Sequence, residues 1–234
     1  MTKKIEAKRR DAGASRNKTL YQVVYQNLKQ RIMNGEWQPD TKLTLRGVAA
    51  ELGTSAQPVR EAMNRLIAER VLVLKPNYSV SLPPTDKELI EELMSLRIVL
   101  EGEAARLCAP NLSKRDMLEL DDALEEIIAL HQPDRHSIEG CVQTAHRIPM
   151  LIAERAGFNF LKLEIENLRV RTAPYYAAGA AAMCNDEIFL RFAMTLQREF
   201  VNCLKRGNGE MARDICRTSI YTYQHFLYGV LGLE

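Results

Sequence analysis

The stretch LTLRGVAAELGTSAQPVREAMNRL, residues 43–66, constrains the fold more than any other part of the chain. Val48, Ala49 and Leu52 share one helical face, and Val59, Ala62, Met63 and Leu66 share another. Between the two, Gly53-Thr54 supplies a tight turn in which glycine relieves strain. Thr44 is placed to cap the first helix, over about Leu45–Leu52, and Ser55 to cap the second. Pro58 falls in the first turn of that second helix, where its missing N–H costs little. Two short helices joined in this way make a helix-turn-helix. Ala56, Gln57, Arg60 and Asn64 are left on the face away from the core. An arginine so placed suits a helix that lies in the major groove of DNA.

The flanking residues extend the unit. Tyr21, Val24, Leu28 and Ile32 recur at helical spacing and predict a helix from about Leu20 to Asn34, closed by Gly35. VLVLK (71–75) and YSVSL (78–82) are rich in β-formers and flank Pro76-Asn77, which predicts a hairpin wing. Pro83-Pro84 makes a short stiff linker.

Beyond the linker the pattern is helical only. Thr85 with Glu88 reads as a capping box opening a long helix to about Cys108. Ser113 begins a second helix, to about Leu130. A third follows Ser137 to about Ala156, kinked at Pro149. A fourth starts at Asn159 and ends near Pro174. A fifth runs from Asn185 to before Gly207, and a sixth from about Asn208 to Gly229. The expected fold class is mainly α: an N-terminal winged helix-turn-helix of three helices plus a small β-hairpin wing, followed by an all-α antiparallel bundle of about six helices. The expected organisation is a flexible basic arm over 1–18, the winged helix-turn-helix over 19–82, a linker over 83–86 and the helical domain over 87–234.

The formal net charge of +2 hides an asymmetry. Residues 1–82 hold 15 Lys/Arg against 7 Asp/Glu, a balance of +8, whereas residues 83–234 hold 17 against 23, a balance of −6. The half that can face a polyanion is therefore the one with the helix-turn-helix. No run of about 18 apolar residues occurs, so no membrane span is expected. The basic N-terminus lacks the apolar centre of a secretory signal. Five cysteines, odd in number and without a CxxC, read as reduced thiols in a cytoplasm. No G-x-S-x-G, HExxH, glycine-rich phosphate loop or Cys/His cluster is present. Glu125 and Glu126, consecutive on a helix, diverge. An enzyme is therefore not expected.

The stretch L-G-T-S-A-Q-P-V-R-E-A-M-N-R-L (52–66) resembles the recurrent L-G-V-S-R-x-P-V-R-E-A-L-x-x-L of the GntR family of bacterial transcription regulators. SLRIVLEGEAARLCA (95–109) resembles the opening helix of the C-terminal effector domain in the family's FadR-type branch. That helix carries an Arg and a Glu four residues apart, here Arg97 and Glu101. LIAERAGFN (151–159) and LKRGNGEMAR (204–213) echo two later landmarks. The resemblance covers about residues 19–230. It implies a homodimer that binds double-stranded DNA at a palindromic operator, represses transcription, and is released or re-set by a small-molecule effector held in the C-terminal domain. The alternative is an architectural or constitutive DNA-binding dimer without an effector.

The resemblance also assigns residues. In the family, the positions matching Arg46 and Arg60 contact DNA. Ser55, Gln57 and Asn64 are candidates for base or phosphate contacts, and Asn77 at the wing tip for the minor groove or a phosphate. The family commonly places Arg directly after the capping Ser/Thr, where this chain has Ala56. A methyl group touches a thymine methyl but cannot donate to guanine.

Many effector domains of this branch hold a divalent metal through one Asp and three His. Anchored on Ala156-Gly157 and on Gly207, the matching positions here are Ala145, Pro149, Gln197 and Ser219, none an ordinary ligand for zinc or nickel. His146 lies one residue off the frame, a rotation of about 100° on a helix. His131, His136, His146 and His225 read as surface or capped-core histidines. The expectation is a pocket without metal or cofactor, taking an organic acid. Arg97 is the candidate for a carboxylate or phosphate, or else the partner of Glu101 in a buried i,i+4 pair, and the two roles can coexist. Gln197 and Ser219 offer neutral hydrogen bonds. Arg169, Arg171, Tyr175 and Tyr176 lie near a helix that usually walls the pocket. AAGAAAM (177–183) has side chains small enough for close helix packing.

If the basic arm touches DNA, it adds salt-dependent affinity rather than specificity. Removing residues 1–17 is then expected to flatten the salt dependence of DNA affinity and leave sequence preference intact. Anisotropy titrations at graded salt measure both.

Overall fold

The computed structural model describes residues 19–75, 79–130 and 138–233. Three helices open the chain: α1 (Leu20–Met33), α2 (Leu45–Glu51) and α3 (Ala56–Ala68). Thr44 caps α2 by accepting from the Gly47 N–H at 3.0 Å. Gly53 takes the turn between α2 and α3 at φ +60°, a conformation that costs other residues about 1–2 kcal/mol. Val59, Ala62, Met63 and Leu66 of α3 are buried as their spacing predicts. On α1 the buried tyrosine is Tyr25 rather than Tyr21. The Tyr25 hydroxyl donates to Glu69 at 2.6 Å, and the Arg65 guanidinium stacks 4.2 Å from its ring centre.

Strands β1 (Lys42–Leu43), β2 (Val73–Leu74) and β3 (Val80–Ser81) form an antiparallel sheet of order β1-β3-β2. Val73 lies opposite Ser81 and Leu74 opposite Val80, the expected wing. The third strand, β1, adds Lys42 opposite Ser81 and Leu43 opposite Val80. Two residues are too few to show a period of two, so the sequence pattern gives no sign of it.

The bundle comprises α4 (Lys87–Cys108), α5 (Lys114–Leu130), α6 (Ile138–Thr144), α7 (Arg147–Arg155), α8 (Asn159–Met183), α9 (Glu187–Lys205) and α10 (Gly209–Leu231). Four expectations change. Asp86, not Thr85, caps α4, its carboxylate accepting from the Leu89 N–H at 2.7 Å. Asp186, not Asn185, caps α9 in the same way. The expected third helix is two, α6 and α7, broken at Ala145-His146 rather than kinked at Pro149, which makes seven bundle helices among the described residues. The break puts Pro149 in the first turn of α7, where the helix needs no N–H from it. Finally α8 does not end near Pro174 but runs through it for nine further residues to Met183.

Two apolar cores result. One fills the bundle. The other fills the winged helix, and Val170 and Ala173 of α8 belong to it. The winged helix is thus seated on α8, with Gly35 facing Ala177. The Tyr175 hydroxyl donates to the Pro84 carbonyl at 2.8 Å and pins the linker to the same helix.

Gly35 and Gly53 both have positive φ, but a Cβ on Gly35 would lie 2.5 Å from the Ala177 Cβ, whereas one on Gly53 meets nothing within 4 Å. Gly35→Ala is therefore expected to lose about 1–3 kcal/mol more than Gly53→Ala, the typical cost of overpacking. Urea unfolding of the two variants measures the difference. Equal losses would mean that α1 and α8 do not meet as described.

Candidate functional site

The first site is an exposed face. Ser55, Ala56, Gln57, Arg60 and Asn64 all lie open on α3, and Arg46 on the first turn of α2. Arg46 and Arg60 make no hydrogen bond or ion pair among the described residues. Two other arginines of the unit are engaged. Arg31 joins Glu36 and Glu51 at 2.7 Å each and lies over Trp37, and Arg65 joins Glu69 at 2.9 Å. Arg46 and Arg60, open on the helix-turn-helix surface, can thus reach base edges or phosphates. Gln57 donates to Glu61 at 2.9 Å, which orients its amide along α3. Asn77 lies outside the described residues.

The second site is a cavity of about 150 Å³ inside the bundle. Helix α4 contributes Arg97 and Glu101, one turn apart on one face. Helix α8 contributes Arg169, Tyr176 and Met183, spaced by sevens. Phe189, Phe192, Gln197 and Phe200 come from α9, and Cys216, Ser219, Ile220 and Tyr223 from α10. Cys141, Ala145, Ile148 and Pro149 close it at the α6–α7 break.

Three charges stand in its wall, all buried. Arg97 Nε donates to Glu101 Oε1 at 2.6 Å, and Arg169 Nη2 donates to Glu101 Oε2 at 2.6 Å. Burial alone would raise the Glu101 carboxyl, but Arg169 and Arg97 override it and hold the group at about 2. One carboxylate serves two guanidiniums, so the cluster keeps one excess positive charge. Burial pulls the Arg169 guanidinium down more than Glu101 restores it, and Arg97 adds to the fall. Arg169 Nη1 donates to the Ala145 carbonyl at 3.0 Å and faces His146 Nδ1 at 3.3 Å, while its Nε has no partner. Tyr176 and Tyr223 stack at 4.9 Å between ring centres, and burial keeps both phenols protonated. Burial and Glu101 push the Cys216 thiol up to about 12, which leaves it no nucleophile.

Arg97, Glu101, Arg169, Tyr176, Gln197 and Ser219, separated by up to 122 positions in sequence, thus meet at one cavity. Tyr175 does not: one position from Tyr176, it turns about 100° away and binds the linker instead. Arg171 is likewise absent from the wall. His146 sits buried at the α6–α7 break with Nε2 unpartnered, in line with the core one of its two readings. Sequence periodicity missed Phe189, Phe192 and Phe200, although their spacing on α9 marks one helical face. His225 is exposed and packs edge-on against Tyr221. His131 and His136 lie outside the described residues.

The positions matching the family's metal ligands, Ala145, Pro149, Gln197 and Ser219, all line this cavity. Their side chains offer no imidazole, thiolate or carboxylate. Among the described residues no group of three or more His, Cys, Asp or Glu is placed to hold a metal. The wall's carboxylate, Glu101, is shared by two cations that would repel a third. These residues do not suit a divalent ion.

An arginine-bearing helix-turn-helix joined to a helical bundle with a charged internal cavity defines a DNA-binding regulator with a ligand-binding domain. Residues 20–81 match the family described as bacterial regulatory proteins, gntR family, and residues 92–221 match the FCD domain. The chain belongs to the GntR family of transcriptional regulators, in its FCD-bearing branch. It is similar to the HTH-type transcriptional regulator McbR of Escherichia coli (strain K12), 28% identical over 162 residues that cover 69% of this chain and 72% of that one. It is also similar to the gluconate operon transcriptional repressor of Bacillus licheniformis, 35% identical over 188 residues, 74% of this chain and 75% of that one. The solved structure of E. coli McbR/YncC aligns with a TM-score of 0.82 at 26% identity, over 91% of this chain and 98% of that one. The family consists of regulators, not enzymes. Among the described residues no helix is long and apolar enough to cross a membrane.

Burial, with the Arg169 and Arg97 charges, pushes the His146 imidazole from its ordinary 6.5 to about 3, and Glu101 falls from 4.5 to about 2. Both groups bind protons more tightly in the unfolded chain. Stability is therefore full above pH 6.5 and falls as pH drops through these windows. Glu101→Gln removes the part lost below 4.5 but leaves two buried cations without a carboxylate, a loss of about 3–5 kcal/mol at neutral pH. Urea unfolding above pH 6.5, at pH 4.5 and near pH 3 checks both. An unchanged variant would contradict the triad.

Proposed function

We propose that this regulator is a homodimeric repressor whose affinity for a palindromic operator is set by a small organic acid in the bundle cavity. The observation that carries the reading is the double duty of α8. Arg169 and Tyr176 line the cavity, while Val170 and Ala173 are part of the winged helix's own core. A ligand that draws on Arg169 therefore acts on the helix that seats the recognition helix.

In a two-fold dimer the two α3 helices reach successive major-groove faces about 34–36 Å apart. The effector shifts the balance between arrangements of the DNA-binding units only by binding one of them more tightly. Repression is supported by relatives named as repressors, such as that of the gluconate operon. The carboxylate is supported by the excess positive charge at Arg97 and Arg169. Five free cysteines fit a reducing cytoplasm.

Arg60→Ala is expected to weaken a selected operator by roughly 1–3 kcal/mol, the value of a bidentate arginine–guanine contact, and to leave non-specific duplex affinity nearly as it was. Selection from random DNA should return half-sites without the guanine that an arginine at position 56 would read. Unchanged selective affinity in the variant would remove the DNA-reading assignment, and recovery of that guanine would remove the role given to Ala56. Operator affinity unmoved by every compound that binds the cavity would leave a constitutive DNA-binding dimer.

A further inference from the structure

The cavity wall divides by chemistry. At one end stand Arg97, Glu101 and Arg169, short of acceptors. Arg169 Nε is buried without a partner, and Arg97 Nη2 reaches Glu101 only at 3.5 Å. A buried donor without a partner favours any ligand that brings an acceptor. Because a single carboxylate offsets two cations, the end has room for one further negative charge and no more. The rest of the wall is largely aromatic and aliphatic, with Phe189, Phe192, Phe200, Ile148 and Ile220. Gln197 and Ser219 supply neutral hydrogen bonds there.

Size narrows the ligand further. A cavity of about 150 Å³ is the size that, when apolar, takes up benzene. A sugar acid carries a hydroxyl on nearly every carbon, and those turned to the phenylalanines and isoleucines of this wall would lack a partner. A di- or tricarboxylate brings more negative charge than the end can match. Among the described residues no group of His, Cys, Asp or Glu is placed to hold the metal of a metal-bridged ligand.

We infer that the cavity binds a small aromatic monocarboxylate directly, without metal, its carboxylate on Arg169 and Arg97 and its ring among Phe189, Phe192 and Tyr223. This rests on the proposal that the bundle holds the effector, and it names that effector's chemical class. The excess positive charge supplies two charge-assisted donors, and arginine's planar fork matches a carboxylate. The ring replaces water against an apolar wall, so binding should show a negative heat-capacity change.

The test uses the full chain, purified and treated with EDTA, in calorimetry and thermal-unfolding titrations. The probes are benzoate, phenylacetate, benzamide, gluconate and citrate, each with and without added zinc. Benzoate or phenylacetate is expected to bind and raise the midpoint equally with and without EDTA. Benzamide, the neutral isostere, should bind at least about tenfold more weakly. Gluconate and citrate should leave the midpoint unmoved. Arg169→Gln should abolish the preference for benzoate over benzamide. Phe192→Ala, at the half-open end of the wall, should weaken benzoate about tenfold and serves if the arginine variant fails to fold. The inference is overturned if neither aromatic acid binds, if benzamide equals benzoate, if EDTA abolishes binding, or if gluconate or citrate binds more tightly. Loss of the aromatic acids by a protein that still selects a DNA site removes the ligand class alone. Failure to select any DNA site removes the regulator reading, whatever the cavity holds.

Discussion

Because Val170 and Ala173 lie within the core of the winged helix while Arg169 and Tyr176, their near neighbours on α8, line the bundle cavity, neither unit can be described apart from this helix. Successive helical residues differ by about 100° in direction, so residues one apart face different surroundings and residues seven apart share one. Arg169, Tyr176 and Met183 follow the second rule toward the cavity. Val170, Ala173 and Ala177 follow it toward α1. The small side chain of Ala177 meets a glycine there, and the two backbones approach more closely than larger residues allow. A rotation of α8 of a few tens of degrees would disturb both sets together.

The buried triad fits that role better than it fits a stabilising one. Taking ions out of water costs several kcal/mol each, and a well-packed apolar substitute is often as stable or more so. Arg97, Glu101 and Arg169 therefore add little to the net stability of the bundle. They set a local charge that depends on what else is present. The cluster holds Arg169 against the Ala145 carbonyl and His146 at the α6–α7 break. An added anion competes for the same guanidinium. The contacts that tie the break to α8 are thus the ones an anion draws upon.

Much of this was legible before any coordinates. The recognition face of α3 followed from the period of Val59, Ala62, Met63 and Leu66, because one buried face leaves Ala56, Gln57, Arg60 and Asn64 outside. The pairing of Arg97 with Glu101 followed from a spacing of four on one helix. The third member, Arg169, is 68 residues from Glu101, a separation at which no local period operates. Caps shifted by one residue at Asp86 and Asp186 because neighbouring side chains can serve equally well, and tertiary geometry chooses. The strand at Lys42–Leu43 exists only through its pairing with Val80–Ser81, which local sequence does not encode.

Pro174 reads as a helix end in the sequence yet lies inside α8. A proline inside a helix removes one backbone hydrogen bond and costs about 3 kcal/mol or more, so a helix end is the ordinary reading. Packing on both sides reverses it. Tyr175 and Met183 are buried, and each such side chain returns roughly 1.5–3 kcal/mol. Gly179 has no Cβ and so lets the Tyr223 hydroxyl come against α8. The helix survives, but the Val170 carbonyl lacks the N–H that residue 174 would otherwise supply. In the same stretch the Thr172 hydroxyl donates to the carbonyls of Leu168 and Arg169, at 3.0 and 3.3 Å, a pattern that bends helices. That turn, from Arg169 to Ala173, begins at the guanidinium in the cavity and ends in the core that carries the recognition helix.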